Sequence, residues 1–358
     1  MKIIIYAICK NEARFAERFM ASCAGADGVY VLDTGSTDGT PERLRELGAV
    51  VKEQVIDPWR FDVARNASLD MLPDDTDVCI CLDLDEVLCP GWREALEAAW
   101  APGTPRARYT YVWSHTPDGG DGVVFFADKI HARHGYRWKH PVHEVLTPDR
   151  AESCITVPAL RVEHWPDSSK SRGQYLPLLE LSAAEDPDDD RNMHYLGREY
   201  MFHGRWGDAM ATLMRHLSMP TATWAAERAA SMRYIARCCD ALGDWRSAAY
   251  WLERAADEAP SQREAPYALA LLYYRRSDWP LCRYWAAQTL SITERDHNYM
   301  TEPEAWGAGP YDLLAIANWH LGQRNDAIAA AEAAVRLAPK DARLARNLEI
   351  MRQRGAKA

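Results

Sequence analysis

No stretch of this chain reaches the roughly 18 consecutive apolar residues that mark a membrane-spanning helix. The apolar opening, Met1 to Cys9, is too short and wrongly flanked for a secretory signal. No membrane span is expected, and a cytoplasmic location is. An excess of positive charge is missing too: Asp and Glu outnumber Lys and Arg 52 to 42, for a net charge of −10. Nucleic acid or acidic lipid would therefore have to find a local basic patch. Zinc-type cysteine spacing is also absent. The nine cysteines are scattered through strand- and helix-like segments, Cys9, Cys79, Cys81, Cys238 and Cys282 among them, as reduced and buried thiols would be.

What is present is a well-mixed globular composition, 47% hydrophobic and 26% charged, which excludes wholesale disorder. At 358 residues the chain outgrows one core, since single cores rarely pass about 250 residues, so two domains are expected. The division falls near the end of a Ser- and basic-rich stretch, giving residues 1–170 and 171–358.

Up to about residue 100, short β-branched runs alternate with helix-like segments. Lys2 to Ile8, Gly28 to Leu32, Ala49 to Val55 and Val78 to Leu82 read as strands. Ala13 to Cys23, Pro41 to Leu47, Phe61 to Leu72 and Pro90 to Trp100 read as helices. This alternation predicts a parallel sheet with helices on its faces. From Arg106 to Val162 the runs become strand-like, as in Arg108 to Trp113 and Val123 to Ile130, which predicts an antiparallel extension of that sheet.

Beyond Gly173 the chain reads as helical, and it repeats. Gly204-Arg-Trp206, Gly243-Asp-Trp245, Ser277-Asp-Trp279 and Gly322-Gln-Arg324 each precede a small residue: Ala209, Ala248, Cys282 and Ala327. These four lie 39, 34 and 45 positions apart. A helix-turn-helix repeat of about 34 residues, the tetratricopeptide type, fits, with Gly at the turn and the small residue where two helices touch. The longest interval holds an insertion, Thr301 to Gly309.

The residues with chemistry in them sit at predicted strand ends. Val78 to Leu82 runs into Asp83-Leu-Asp85-Glu86, at the edge where open α/β sheets bind ligands. In an extended segment Asp83 and Asp85 would point the same way and repel, unless a divalent ion with oxygen ligands joined them. The bland alternative is an acidic loop capping the next helix. The turn Asp33-Thr-Gly35-Ser-Thr-Asp38-Gly39-Thr40 suits nucleoside binding, with Asp38 or Thr40 as helix cap. Cys9-Lys10-Asn11-Glu12 ends the first strand, and Ala64-Arg65-Asn66 lies on the third helix, where Arg65 could neutralise phosphate or be a solvated charge.

Cys-Lys-Asn-Glu, Asp-Thr-Gly-Ser-Thr-Asp-Gly-Thr, Ala-Arg-Asn and Asp-Leu-Asp-Glu occur in an order and spacing that resembles family 2 glycosyltransferases of the GT-A fold. The resemblance covers residues 1 to about 165. The helical repeats look like those of a bacterial and phage subgroup that includes peptide S- and O-glycosyltransferases of the glycocin type. It implies an α/β GT-A catalytic domain followed by an all-α domain of tetratricopeptide-like repeats. It further implies that Asp33 meets the nucleobase or ribose, Asp83 the ribose or metal, and Asp85 the metal, with Lys10 and Arg65 at the nucleotide. His164 would be a third metal ligand, favouring manganese over magnesium. Lys170 and Arg172, in a short basic segment, could fold over the diphosphate of a UDP-sugar or belong only to the linker between domains. Many members carry a second Asp where this chain has Thr34.

Tyr136-Arg-Trp138-Lys-His140-Pro-Val-His143-Glu144 gathers an acid, two imidazoles and an indole. An inverting transfer needs one base, for which Glu144 is the candidate, with Trp138 and His143 toward the acceptor. Alternatively His143 and Glu144 pair with each other. The expected function is thus an inverting, metal-dependent glycosyltransferase acting on a hydroxyl or thiol of a peptide or protein. Alternatives are a phage enzyme that glycosylates a hydroxylated base in DNA, for which Arg228, Arg233 and Arg237 would form a basic stripe, and a lipopolysaccharide-core transferase. A reading of another class is a non-catalytic tetratricopeptide-type scaffold. The repeats would bind the acceptor or make a homodimer.

Overall fold

A computed structural model describes residues 1–116, 119–167 and 173–355. The chain divides into two compact units, Met1–Glu185 and Asp186–Ala358.

The first unit is built on an eight-stranded mixed sheet. Strand β1 (Ile3–Cys9) is central and pairs in parallel with β2 (Gly28–Asp33) on one side and β4 (Val78–Cys81) on the other, and β3 (Val50–Glu53) extends the β2 side. All seven residues of β1 are buried, as required of a strand covered on both faces. Because side chains alternate, Ile3, Ile5 and Ala7 pack with Phe19 of α1 (Ala13–Ser22), Leu44 of α2 (Thr40–Glu46) and Leu96 of α4 (Trp92–Ala99). Ile4 and Tyr6 face the other way, onto Leu69 of α3 (Phe61–Leu69) and onto Tyr136 and Trp138.

Past β4 the direction reverses. The strand β7 (Val124–Ala132) runs antiparallel to β4, and β6 (Arg106–Val112) runs antiparallel to β7, as the strand-like stretch predicts. The outer strands depart from that pattern. The long β10 (Cys154–His164) is parallel to β6, and a three-residue strand, β5 (Glu86–Leu88), lines its edge antiparallel. A ribbon of β8 (Tyr136–Lys139) and β9 (Val145–Pro148) covers the α3 face. Helix α5 (Tyr175–Glu185), which the sequence places with the repeats, counts with this unit: Tyr175 lies against Phe61 and His143.

The second unit is helical throughout its regular elements. Helices α6 (Asp190–Phe202), α7 (Trp206–Ser218), α8 (Ala225–Ala241), α9 (Trp245–Glu258), α10 (Glu264–Arg275), α11 (Trp279–Ser291), α12 (Gly309–His320), α13 (Arg324–Leu337) and α14 (Ala342–Gly355) each pack on the next. Packing also joins α6 to α8, α8 to α10 and α10 to α12, which makes these four one row of a stack. The repeat signature has a local cause. Gly204, Gly243 and Gly322 take left-handed φ of 70°, 83° and 78° to end a helix, while Asp244 and Asp278 then cap α9 and α11 by accepting from the backbone N–H of Ser247 and Leu281. The third turn lacks Gly, and Ser277 takes φ 57° instead. Ala209, Ala248, Cys282 and Ala327 are all buried at helix contacts.

The insertion folds back on this unit. Arg233 donates to the carbonyl of Met300 at 3.0 Å, and Glu264 accepts from the Glu302 amide and the Trp306 indole at 3.1 and 2.9 Å. Parts of α8 and α10 are thereby occupied by the chain itself.

Candidate functional site

The strand-end loops of the first unit do come together, but largely to bind one another. Asp33 is buried, and its carboxylate accepts from the backbone N–H of Gly35 and Ser36, both at 2.9 Å, from the Ser36 hydroxyl, and from the Cys9 thiol. It organises its own turn. The turn in turn holds the end of β1: Asn11 accepts from the Thr37 N–H at 2.8 Å, Thr40 accepts from the Glu12 N–H at 2.8 Å, and Asp38 accepts from the Ala13 N–H at 3.1 Å. Asp38 thus serves the start of α1 as well as that of α2. Lys10 is exposed beside this lock.

At the next strand end the expectation of an extended Asp83-Leu84-Asp85 is corrected. The backbone turns there, with the Glu86 N–H donating to the Asp83 carbonyl at 2.9 Å and the Asp83 N–H donating to the Glu86 carboxylate at 2.9 Å. The two aspartates consequently meet different partners. Asp83 accepts from Arg65 at 2.6 Å and lies 3.7 Å from Lys129. Asp85 lies 3.5 Å from the Nε2 of His164, brought there by the pairing of β5 with β10.

Arg65 is the hub. Rooted on α3 and almost wholly buried, it donates to Glu144 at 2.9 Å as well as to Asp83, with the Trp138 ring 5.6 Å from its guanidinium. Burial opposes its charge, but Asp83 and Glu144 outweigh burial and hold it firmly protonated. The Asp83 carboxyl is likewise held well below the usual range, burial being overcome by Arg65 and Lys129. Burial pulls His164 down, yet the Asp85 contact carries the net shift upward. Glu144 is thus engaged by the Arg65 guanidinium.

Other site residues find structural places. Trp138 is 4% exposed, donates to Tyr6 at 3.0 Å, and exchanges two 2.9 Å backbone hydrogen bonds with the amide of Asn66, so it offers no face to an acceptor. His143, at φ 50°, lies against Tyr175. Lys170 and Arg172 lie outside the described residues. Among the described residues Asp83, Asp85 and His164 do not bring three donor atoms within 4.8 Å of one another, and Asp83 is already taken up by protein cations. The expected basic stripe is largely neutralised: Arg228 pairs with Glu258 at 2.6 Å, the exposed Arg237 pairs with Glu302 at 2.6 Å, and Arg233 is buried.

No family model matches the chain, and no curated protein matches it. Solved structures do. One is the crystal structure of MamA, 19% identical with a TM-score of 0.38, covering 47% of this chain and 89% of that one. Another is the APC/C hetero-tetramer Cut9-Hcn1, 14% identical at 0.39, covering 50% and 33%. A third is pilF of Pseudomonas aeruginosa, 14% identical at 0.38, covering 50% and 72%. These are tetratricopeptide-repeat proteins. Against the expectation of a family 2 glycosyltransferase, the structures found are tetratricopeptide-repeat proteins and no family model matches. The metal-dependent enzyme expected from the Asp-x-Asp pattern, whether acting on peptide, DNA or lipopolysaccharide, has no counterpart among them. What stands is tetratricopeptide-like helical repeats beside a mixed α/β sheet, with no helix among the described residues long and apolar enough to cross a membrane.

Two participants in the network escape a reading of the sequence, Lys129 and Tyr111, and both meet Glu86 of the acidic motif. Glu86 is 1% exposed and accepts from Tyr111 at 2.6 Å and Lys129 at 3.2 Å. Lys129 occupies one position of an ordinary strand, and only the placement of β7 beside β4 brings it to the acids.

Proposed function

We propose that this protein is a non-catalytic scaffold whose stacked helix pairs hold a partner protein. The observation that carries this reading is a row of apolar side chains left exposed where successive helix pairs turn: Phe202 (57%), Leu242 (58%), Tyr274 (37%) and Leu321 (38%). Each stands within three residues of a repeat turn, at Gly204, Gly243, Ser277 and Gly322, so stacking sets them along one edge. Exposed apolar rows of this kind mark protein contact surfaces. The insertion supports an edge over the inner row, because it already occupies α8 and α10.

The partner is a protein, either another chain or a second copy of this one. Chemical crosslinking in the cell of origin, followed by mass spectrometry, tests the reading with wild-type chain and with the Phe202→Asp, Leu242→Asp double variant. Defined crosslinks from this edge that the double variant loses, while its circular dichroism stays that of wild type, are expected. Crosslinks unchanged in the double variant would remove the edge as the contact surface. Light scattering of the purified chain separates a second copy from a different partner.

A further inference from the structure

The first helix pairs hold a buried polar cluster that the repeat architecture does not require. His216, near the end of α7, is fully buried, and Glu227, in the first turn of α8, is 4% exposed. Asp190 opens α6. Antiparallel packing brings these three positions to one end of the stack, with one donor atom from each within 4.8 Å of the other two. A carboxylate and an imidazole removed from water are costly unless something compensates them.

Hydrogen bonding leaves the compensation incomplete. The Ser231 hydroxyl lies 3.0 Å from the Nδ1 of His216 and 2.7 Å from the Nδ1 of His194, so both rings turn Nδ1 to the same hydroxyl. The Nε2 of His216 makes no hydrogen bond among the described residues, although Glu227 lies 3.4 Å away. In the tautomer that gives Nδ1–H to Ser231, the Nε2 lone pair is free toward the Glu227 carboxylate 3.4 Å away. That is the arrangement of a metal-binding histidine, whose second nitrogen is fixed by an outer hydrogen bond. Ligand atoms about 2.0–2.2 Å from a tetrahedral ion stand roughly 3.3–3.5 Å apart, and the 3.4 Å between His216 and Glu227 matches that spacing.

We propose that Asp190, His216 and Glu227 bind a first-row divalent ion, of which zinc suits the donors best, tying α6, α7 and α8 together at one end. One imidazole and two carboxylates make a mixed nitrogen and oxygen set, harder than a thiolate site and softer than a calcium site. Three protein ligands leave a fourth position for water. The site lies wholly within the helical unit and is independent of the partner-binding edge.

The test uses the full chain without an affinity tag, stripped with chelator and titrated with zinc chloride in a calorimeter, with thermal unfolding recorded alongside. One zinc per chain and a raised unfolding temperature are expected. Asp190→Asn and Glu227→Gln preserve size and, by circular dichroism, the fold, and each is expected to weaken zinc at least about tenfold. Asp85→Asn, at the other cluster of acids, is expected to bind zinc like wild type. Absence of binding by the wild type overturns the site. So does undiminished binding by the Asp190→Asn and Glu227→Gln variants, or loss of binding through Asp85→Asn.

Discussion

Arg65 and Asp83 meet at 2.6 Å across the strand-end edge of the sheet, one from a helix on its face and the other from the end of its fourth strand. Glu144 accepts from the Nε of the same guanidinium at 2.9 Å. Removing one partner of a buried ion pair leaves an uncompensated charge, at a cost of about 3–5 kcal/mol. Arg65→Met strands Glu144 and leaves Asp83 with Lys129 alone, and is expected to cost about that much in urea unfolding of the α/β unit. An unchanged midpoint would mean that the cation is not what holds this edge.

Gly197 lies mid-helix in α6, where Ala has the better intrinsic propensity by about 1 kcal/mol. A Cβ there would stand 2.5 Å from the Leu213 side chain of α7. The collision outweighs the propensity, since overpacking costs roughly 1–3 kcal/mol. Gly197→Ala should therefore lower the thermal midpoint of the helical unit, and a rise would show that Leu213 yields freely.

Ser277 shows the opposite sign. Its left-handed backbone costs a non-glycine residue about 1–2 kcal/mol, of which the extra freedom of glycine in the unfolded chain takes back part. Ser277→Gly should stabilise by somewhat under about 1 kcal/mol, visible as a small upward shift in chemical denaturation.

His131 ties stability to pH. Burial, with Arg106 and Arg133 nearby, pushes its imidazole down to about 3, while its ring nitrogens meet Tyr6 at 2.9 Å and the Ala132 carbonyl at 2.7 Å. Below pH of about 6.5 the unfolded chain takes up a proton that the folded chain refuses, so this stability is complete above that pH and is lost as pH falls toward 3. The slope is at most about 1.4 kcal/mol per pH unit. Between pH 6.5 and 5, above the carboxylate range, His131→Gln should flatten the fall; identical slopes would place the proton elsewhere.

The elements that the sequence makes legible are those with a local cause. The run Ile3 to Cys9 is a strand buried on both faces because every residue in it can be buried, and the repeat turns are readable because Gly204, Gly243 and Gly322 recur with a small residue behind them. The site is less legible because its partners are distant. Glu144 looks like a base beside His143 until α3 delivers Arg65 from 79 positions away. The acids after Leu82 look extended because nothing local announces that Glu86 begins β5, a three-residue strand held only by β10. Motifs that resemble a donor-binding edge thus resolve into a lock between loops and a closed charge network.

The most direct measurement of the scaffold assignment is nucleoside diphosphate release from common sugar nucleotides by the full chain with manganese or magnesium. No release above buffer over days is the expected result, with wild type and Asp85→Ala indistinguishable. Sustained metal-dependent release by wild type that Asp85→Ala abolishes would contradict a non-catalytic scaffold outright.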